Sequence, residues 1–450
     1  METFGQCVYA WMQAQDLSVP ELMGITGYKS KTSLYRVLQG QCNYSACVRF
    51  YDKLFHRLDS AWQDRMQASL RAEKIGLQRT ALYEAIHRTL FQTLVNVPGE
   101  RTFPPQSLSG GTVFLFGASG EAGYTLAESL IAADPQVQIR HYITKEEILS
   151  SPSLLAGLIG RIRQLQYQAV LLDEKELRER MLTWNAAIYR PEGTDGGALM
   201  LFGQGNSEWQ SLERISDPEE TLRHYKQTPL YRFDQLMNPS DYIELVQTAY
   251  QMERGRESII VKPTPGIQMI PPDIVENAFD DFISKHFVPV SVARESLYLI
   301  QRKRIDNFFH NETATQLFLS KAALAAFART GMLMDQFFAI RRFTREERIR
   351  ILKSLAAFAQ ESRHTVGIME KQAPDLSIEI YHGKGALLYP SDTHYHAEQD
   401  GYRELFLPGN DLEDLFAGYV RDILQPETGA DQADKLFNRL IHMVQNEQKD

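Results

Sequence analysis

The spacing of apolar residues changes character once along this chain, between residues 97 and 111. Before that segment, apolar residues recur at helical spacing and no strand pattern occurs. After it, short apolar runs alternate with helical stretches, a pattern typical of an α/β layer fold. The segment itself is rich in Pro, Gly and Ser, which favours a boundary. The sequence therefore predicts a multidomain protein, with an all-α N-terminal part followed by a mixed α/β body.

A chain of 450 residues is longer than one compact domain usually is. We predict a head at 1–58, a helical connector at 59–98 and an α/β body at 99–450, with a subdomain break near 275–330. No internal repeat is visible. No run approaches the roughly 18 apolar residues of a membrane span, so no membrane partner is expected. The three cysteines are too few for a disulfide framework, which suits a cytoplasmic protein.

Charge is distributed unevenly along the chain. The net charge is −9, yet residues 28–58 contain six Lys or Arg residues and a single acid, Asp52. Residues 1–60 together carry +1, so the remaining 390 residues carry −10. A basic patch on an acidic protein is typical of a DNA-reading head attached to a body that does not contact DNA.

Start and stop signals divide the head into short helices. Ser18, followed by Pro20 and Glu21, predicts a capped helix start, and Gly27 follows within two turns. A second helix is expected from Ser30 to Leu38, with Gly40 ending it. A further amphipathic helix is expected to begin at Ser45.

This succession resembles the lambda-repressor-like helix-turn-helix family of the Cro/repressor or Xre type, over residues 1–58 only. The matching positions, in family order, are Leu22, Gly27, Leu34, Val37, Gly40 and Asn43–Ser45. The segment between the two glycines is one residue longer than usual, and Gly24 stands where a helix former is normal. The resemblance implies a transcription regulator that binds double-stranded DNA as a homodimer, with one head on each half-site.

A recognition helix needs polar side chains that reach base edges in the major groove. The second helix of the head supplies them, and Lys29 before it, with Lys53 and Arg57 further on, could contact phosphate. The alternative is a small helical bundle that binds protein. The candidate DNA-binding residues are Lys29, Ser30, Lys31, Thr32, Ser33, Tyr35, Arg36 and Gln39.

The connector is expected to be helical over 61–97, and its apolar residues could form a seam. Such a seam belongs either to a simple connector or to a dimer contact. Its members are Leu70, Leu77, Ala81, Leu82, Ile86, Leu90 and Leu94.

Several short apolar runs in the body are expected to be strands, and 275–330 is expected to be helical. Thr344, with Glu347 three residues later, predicts a capping box for a helix that runs to about Glu361. The expected strands are Val113–Phe116, Val137–Ile143, Ala169–Leu172, Ser258–Val261, Phe337–Phe343, Ser377–Tyr381 and Ala386–Tyr389.

The first expected strand of the body leads into three glycines, Gly117, Gly120 and Gly123, which are candidate cofactor-binding residues. Strand, glycines and helix are the context of a dinucleotide site. The acid expected about 20 residues later is missing, and Arg140 and His141 could instead suit a 2′-phosphate. The simpler interpretation is a tight turn. We therefore predict no cofactor and no catalytic residue.

Two other groups contain side chains of the types that bind metals or sense redox state. Cys42 and Cys47 could sense redox state or hold zinc with His56, although small buried cysteines are ordinary packing. The segment His394 to Glu398, with His396 between them, could ligate a metal from one face of a strand. We predict no metal site.

The sequence thus predicts a sequence-specific DNA-binding transcription regulator whose body senses a small-molecule effector or mediates assembly. The alternative is a nucleotide-binding α/β enzyme or sensor that carries a DNA-binding head.

Overall fold

The protein divides into two compact units, Met1–Glu84 and Ala85–Asp450. Its structure, a computed structural model, describes residues 3–91, 110–117, 121–134, 136–173, 186–193, 196–201, 209–214, 218–223, 225–234, 239–277, 291–310, 312–333, 342–370, 375–391, 402–424, 427–428 and 430–447.

The first unit is helical throughout its described residues. Four helices form the head, and a long fifth helix follows and continues past the unit boundary at Glu84. A short 3₁₀ turn, Phe55–Arg57, separates the fourth helix from the fifth. The helices are α1 (Phe4–Ala14), α2 (Val19–Thr26), α3 (Lys31–Leu38), α4 (Tyr44–Leu54) and α5 (Ser60–Phe91).

Local capping chemistry explains where these helices begin and end. The Ser18 side chain and the Glu21 carboxylate form a capping box at the start of α2, as predicted. Gly27 ends α2 in the left-handed conformation with φ of 68°. One expectation is wrong: α4 begins at Tyr44, because the Asn43 side chain, and not Ser45, accepts the Ala46 amide at 2.9 Å.

The second unit contains two mixed sheets. The first has the strand order β6-β5-β4-β1-β2-β3-β7, in which β1, β2 and β3 are parallel. Its helices are Glu121–Ala133, Lys145–Ser150, Pro152–Gly160 and Pro218–Leu222. Its strands are β1 (Thr112–Phe116), β2 (Gln138–Ile143), β3 (Tyr167–Leu172), β4 (Ala186–Arg190), β5 (Gly197–Leu201), β6 (Gln210–Leu212) and β7 (Gln227–Pro229).

The second sheet has the order β15-β11-β10-β9-β12-β13-β14-β8, in which β9, β10 and β11 are parallel. Its helices are Pro239–Glu253, Ser291–His310, Lys321–Thr330, Arg345–Gln360, Asn410–Tyr419 and Ala430–Gln445, and a π-helical turn occupies Val420–Leu424. Its strands are β8 (Tyr231–Asp234), β9 (Ser258–Lys262), β10 (Thr315–Ser320), β11 (Thr365–Met369), β12 (Leu376–Tyr381), β13 (Gly385–Pro390), β14 (Tyr402–Pro408) and β15 (Glu427–Thr428).

The two sheets repeat one connectivity. In each sheet, three successive strands are parallel neighbours (β1–β3, β9–β11). The next three strands along the chain (β4–β6, β12–β14) are antiparallel and extend the sheet beyond the first parallel strand. A further strand (β7, β15) pairs antiparallel with the third parallel strand. In the second sheet β8 is added at the edge, beside β14. A topological repeat therefore exists although none is visible in the sequence.

Most expected strands and the Thr344 capping box are confirmed, but 275–330 is not helical throughout. Thr315–Ser320 forms the buried central strand β10 between two helices. Its apolar run is only three residues long, Leu317–Leu319, and so short a run cannot be assigned to helix or strand by periodicity, which explains the error. The expected strand Phe337–Phe343 lies largely outside the described residues.

Arg403 ties elements of the two sheets together. This β14 side chain is 1% exposed, and its guanidinium donates to the carbonyl oxygens of Gln164 and Tyr167, beside the first sheet. It also lies over the Tyr231 ring, 4.1 Å from the centroid, and the Tyr231 hydroxyl donates to the Leu158 carbonyl at 2.5 Å. Carbonyl groups and aromatic faces thus replace the hydration of a buried cation.

Among the helices that the structure describes, none is both long enough and apolar enough to cross a membrane.

Candidate nucleic-acid interface

Helix α3 separates its residues cleanly into a buried and an exposed face. Leu34 and Val37 are 0% and 1% exposed and pack in the core of the first unit. Their spacing places both on one side of the helix, so the residues between and around them face outward. All eight predicted DNA-binding residues are exposed: Lys29, Ser30, Lys31, Thr32, Ser33, Tyr35, Arg36 and Gln39.

The N-terminal end of α3 leaves backbone donors accessible. Ser30 is the N-cap residue, but its side chain makes no capping hydrogen bond. The N–H groups of the first helical turn have no partners within the helix, and the helix dipole makes this end favourable for an anion. Because Lys29 and Lys31 flank the same turn, the chemistry suits a phosphate group.

The basic side chains of the head are all available to a polyanion. The six Lys and Arg residues of 28–58 are exposed, and in the described part of the chain none of the six pairs with a carboxylate. Lys53 lies over the Tyr28 ring, 5.0 Å from its centroid. These residues are Lys29, Lys31, Arg36, Arg49, Lys53 and Arg57.

Close backbone packing holds α3 in place. Gly5 of α1 lies against the last turn of α3, where a Cβ atom would be 2.4 Å from the Val37 carbonyl oxygen and 2.6 Å from that of Leu38. No side chain larger than hydrogen fits at that distance, so the glycine sets the separation of the two helices. Below the surface, Phe4 and Tyr28 make edge-to-face contacts with Phe50, with ring centroids 6.2 and 5.4 Å away.

The predicted leucine seam is not a continuous surface. Leu70 packs in the core of the first unit, and Ile86 and Leu90 are buried in the second. Leu82 is also buried, whereas Leu77 is 57% exposed. Leu94 lies outside the described residues, so most of the seam that can be placed contributes to the fold of the chain itself.

The glycine turn after β1 is described in part. Gly117 has a φ of 63°, and its amide donates to the Tyr142 carbonyl at 2.9 Å. Gly123 belongs to the helix Glu121–Ala133, whereas Gly120 lies outside the described residues.

Both ring nitrogens of His141 are hydrogen-bonded within the protein, so this side chain cannot bind a phosphate. Its Nε2 donates to the Gly117 carbonyl at 2.7 Å, and its Nδ1 accepts from the Tyr167 hydroxyl at 2.6 Å. Burial lowers the pKa of His141 to about 4, so the ring is neutral at pH 7. Arg140 pairs instead with Glu219 and lines a cleft with Gly110 and other residues at the amino ends of β1 and β2. The two residues proposed for a 2′-phosphate therefore face different surroundings.

A dense cluster of ionisable groups lies in the second sheet, far along the chain from the glycine turn. Glu379 on β12 accepts from Lys262 at 2.9 Å, from Tyr381 and Tyr389 at 2.5 Å each, and from Gln268 at 3.1 Å. Burial raises the pKa of Glu379, but the positive charges beside it outweigh burial and lower the pKa to about 2.

A second pair completes this cluster. Arg304 forks onto both carboxylate oxygens of Glu253, and the Tyr381 hydroxyl lies 3.4 Å from the same carboxylate. The adjoining cavity has a volume of about 20 Å³, room for about one water molecule. Opposite charges are matched and this cavity is too small for a substrate, so we interpret the cluster as a structural network. Sequence reasoning missed it, although a Lys and a Glu inside otherwise apolar strands are a readable signal.

Within the described residues no three His, Cys, Asp or Glu side chains converge as metal ligands. His56 is exposed and does not join Cys42 and Cys47 in such a group. The segment from His394 to Glu398 lies outside the described residues.

No protein-family profile matches the chain, and no curated protein matches it significantly.

Proposed function

We propose that this protein is a sequence-specific DNA-binding transcription regulator whose helix α3 enters the major groove. The observation that carries the proposal is the division of α3, with Leu34 and Val37 buried and every polar side chain exposed. Arg, Lys, Ser, Thr and Gln are side chains that read base edges, and those of α3 are all exposed on the sides of the helix away from the buried pair, with Gln39 directly after the helix. The similarity of residues 1–58 to lambda-repressor-like heads agrees with this assignment.

The exposed Lys and Arg side chains around α3 support electrostatic attraction between the head and the DNA phosphates. Phosphate contacts give affinity and position the protein, whereas base contacts give specificity. Phosphate contacts are assigned to Lys29, Lys53 and Arg57. Base contacts are assigned to Lys31 and Arg36. Affinity should accordingly fall steeply with salt concentration.

In this proposal the second unit either senses a small-molecule effector or mediates assembly of the protein. A cleft of about 460 Å³ lies beyond the carboxyl ends of β2 and β3, lined in part by Lys145, Asp173, Lys226 and Thr228. Its volume suits a small polar effector, and ligands of open α/β sheets commonly bind at this edge. A thermal-shift screen of phosphorylated and carboxylated metabolites against the full chain tests this, and the absence of any stabilising compound would favour assembly.

The DNA-binding proposal is tested by selecting bound sequences from a random pool and titrating the selected site in gel shifts. Lys31→Ala and Arg36→Ala should each weaken binding by about 1–3 kcal/mol, roughly 5- to 150-fold, because each removes a base contact. Both side chains are exposed, so circular dichroism should report an unchanged fold.

The matched control is Lys303→Ala, which removes an exposed lysine of the helix Ser291–His310 in the second unit. It should leave affinity for the selected site within about twofold. Selection that enriches no sequence, or equal affinity of wild type and both α3 variants, would refute the proposed function.

A further inference from the structure

Two cysteines of the head face each other, one in the turn that follows helix α3 and the other in α4. The Sγ atoms of Cys42 and Cys47 are 3.1 Å apart and carry free thiols. A disulfide bond requires about 2.05 Å between the sulfurs, so the two side chains already point at each other and need to approach by only about 1 Å.

The two thiols differ in accessibility. Cys47 lies in α4, is 2% exposed and belongs to the core of the first unit. Burial, followed by the neighbouring Cys42 and Glu73, raises the pKa of the Cys47 thiol. Cys42 lies in the turn between α3 and α4 and is partly exposed. A dissolved oxidant therefore reaches Cys42 first. Cys47 stays protonated and is the resolving thiol that reacts with the oxidised Cys42.

We propose that Cys42 and Cys47 form a reversible disulfide and that this modification controls DNA binding. A hydroperoxide oxidises the Cys42 sulfur to a sulfenic acid, and the O–O bond breaks to release an alcohol or, from hydrogen peroxide, water. The Cys47 sulfur then attacks the Cys42 sulfur, the S–O bond breaks, and the hydroxide leaves as water with the Cys47 proton. Two thiols and one peroxide thus become one disulfide, one alcohol or water, and a further water.

The expected effect on α3 follows from how the two cysteines are held. Cys47 is fixed within α4, whose start is anchored by the Asn43 cap. The turn that carries Cys42 is tied to α3, since the Gln41 amide donates to the Arg36 carbonyl at 2.7 Å. The contraction therefore acts on the C-terminal end of α3. Base readout depends on the placement of this helix, so the disulfide should weaken DNA binding, an effect that rests on the proposed function.

The disulfide is detected by mass spectrometry of the digested protein, which requires no DNA. Trypsin places both cysteines in one peptide, residues 37–49, while Cys7 falls in another. The full chain is treated with hydrogen peroxide, alkylated, digested and weighed. The disulfide predicts that this peptide loses two hydrogens and resists alkylation, and that dithiothreitol reverses both changes.

Cys7→Ser should behave as wild type, whereas Cys42→Ser and Cys42→Ala should each abolish the intrapeptide bond. A peptide 37–49 that stays fully alkylated at millimolar peroxide, or a bond that involves Cys7, would overturn the assignment. Two variants at the partly exposed Cys42 guard against a folding defect in either one.

The regulatory step is read in gel shifts on the selected site. Oxidation should lower the affinity of wild type at least tenfold and leave that of Cys42→Ser unchanged. If the disulfide forms and the affinity does not change, the regulatory step is refuted while the proposed function stands. If no DNA sequence is selected, the proposed function and its control by the disulfide both fail, and the mass of the peptide still decides whether the disulfide forms.

Discussion

At the scale of single residues, the second unit buries several charges whose protonation is coupled to folding. Glu404 on β14 is the clearest of them, since its side chain is 7% exposed and meets Arg232 at 3.3 Å. Burial raises the pKa of Glu404 to about 7, and Arg232 offsets this only in part. The folded protein therefore binds a proton at Glu404 more tightly than the unfolded chain does.

This difference predicts the pH dependence of stability. The contribution of Glu404 is fully present below about pH 4.5, decreases as the pH rises, and is lost above about pH 7. Glu404→Gln cannot ionise, so relative to wild type it should gain of order 2–3 kcal/mol between pH 4.5 and 8. Urea unfolding of the full chain at several pH values measures this gain.

Glu370→Gln provides the control for that comparison. Glu370 is about half exposed and pairs with Lys321 on the surface. Its replacement should change stability by less than about 1 kcal/mol at every pH. Parallel pH profiles for wild type and Glu404→Gln would show that the pKa of Glu404 is the same in the folded and unfolded chain, and would contradict the prediction.

At the scale of secondary-structure elements, two glycines of the head have opposite roles. Gly5 lets α1 approach the carbonyl groups at the end of α3, whereas Gly24 lies within α2 with no atom within 4 Å of an added Cβ. Both occupy helical positions, where alanine is intrinsically preferred by roughly 1 kcal/mol. Only the tertiary contact distinguishes them.

Gly24→Ala should stabilise the first unit by up to about 1 kcal/mol and leave DNA affinity unchanged. Gly5→Ala should destabilise it by about 1–3 kcal/mol, because α1 and α3 must separate, and should weaken binding at the selected site. Thermal unfolding and gel shifts of the pair measure both effects. If Gly5→Ala proved as stable as Gly24→Ala, this result would contradict the close contact of α1 with the carbonyl groups of α3.

At the scale of the whole molecule, the proposed function requires two heads for a two-fold operator. The predicted seam offers few of its residues to a partner, because most of those described are buried within the chain. The middle of α5 instead exposes Ile75 and Leu77, which are 64% and 57% exposed. Side chains two positions apart point to nearly opposite sides of a helix, so we expect a homodimer whose contact includes one of these two residues.

Light scattering of the full chain at micromolar concentration should report a dimer. The double substitution Ile75→Glu and Leu77→Glu should shift the mass toward the monomer, because it places charges in an apolar contact. Leu299→Glu replaces a comparably exposed leucine of the second unit, 55% exposed, and should leave the mass unchanged. A monomeric wild type, in solution and on the selected DNA, would contradict the expectation.

The sequence by itself determined those features that depend on near neighbours. The capping box of Ser18 and Glu21, the glycine end of α2, the two faces of α3 and most body strands follow from local hydrogen bonding and periodicity. Capping and amphipathicity act over a few residues, so they can be read without knowing the fold.

Only the tertiary structure decided which distant residues meet. The repeated sheet topology, the carbonyl contacts of Gly5, and the link from Lys262 to Glu379 join residues separated by dozens of positions or more. His141 shows the same limit, since its sequence position suited a phosphate contact, whereas in the fold its ring bonds to the Gly117 carbonyl and the Tyr167 hydroxyl. Pairing between distant strands and burial of charge are properties of the packed chain, and no short stretch of sequence encodes them.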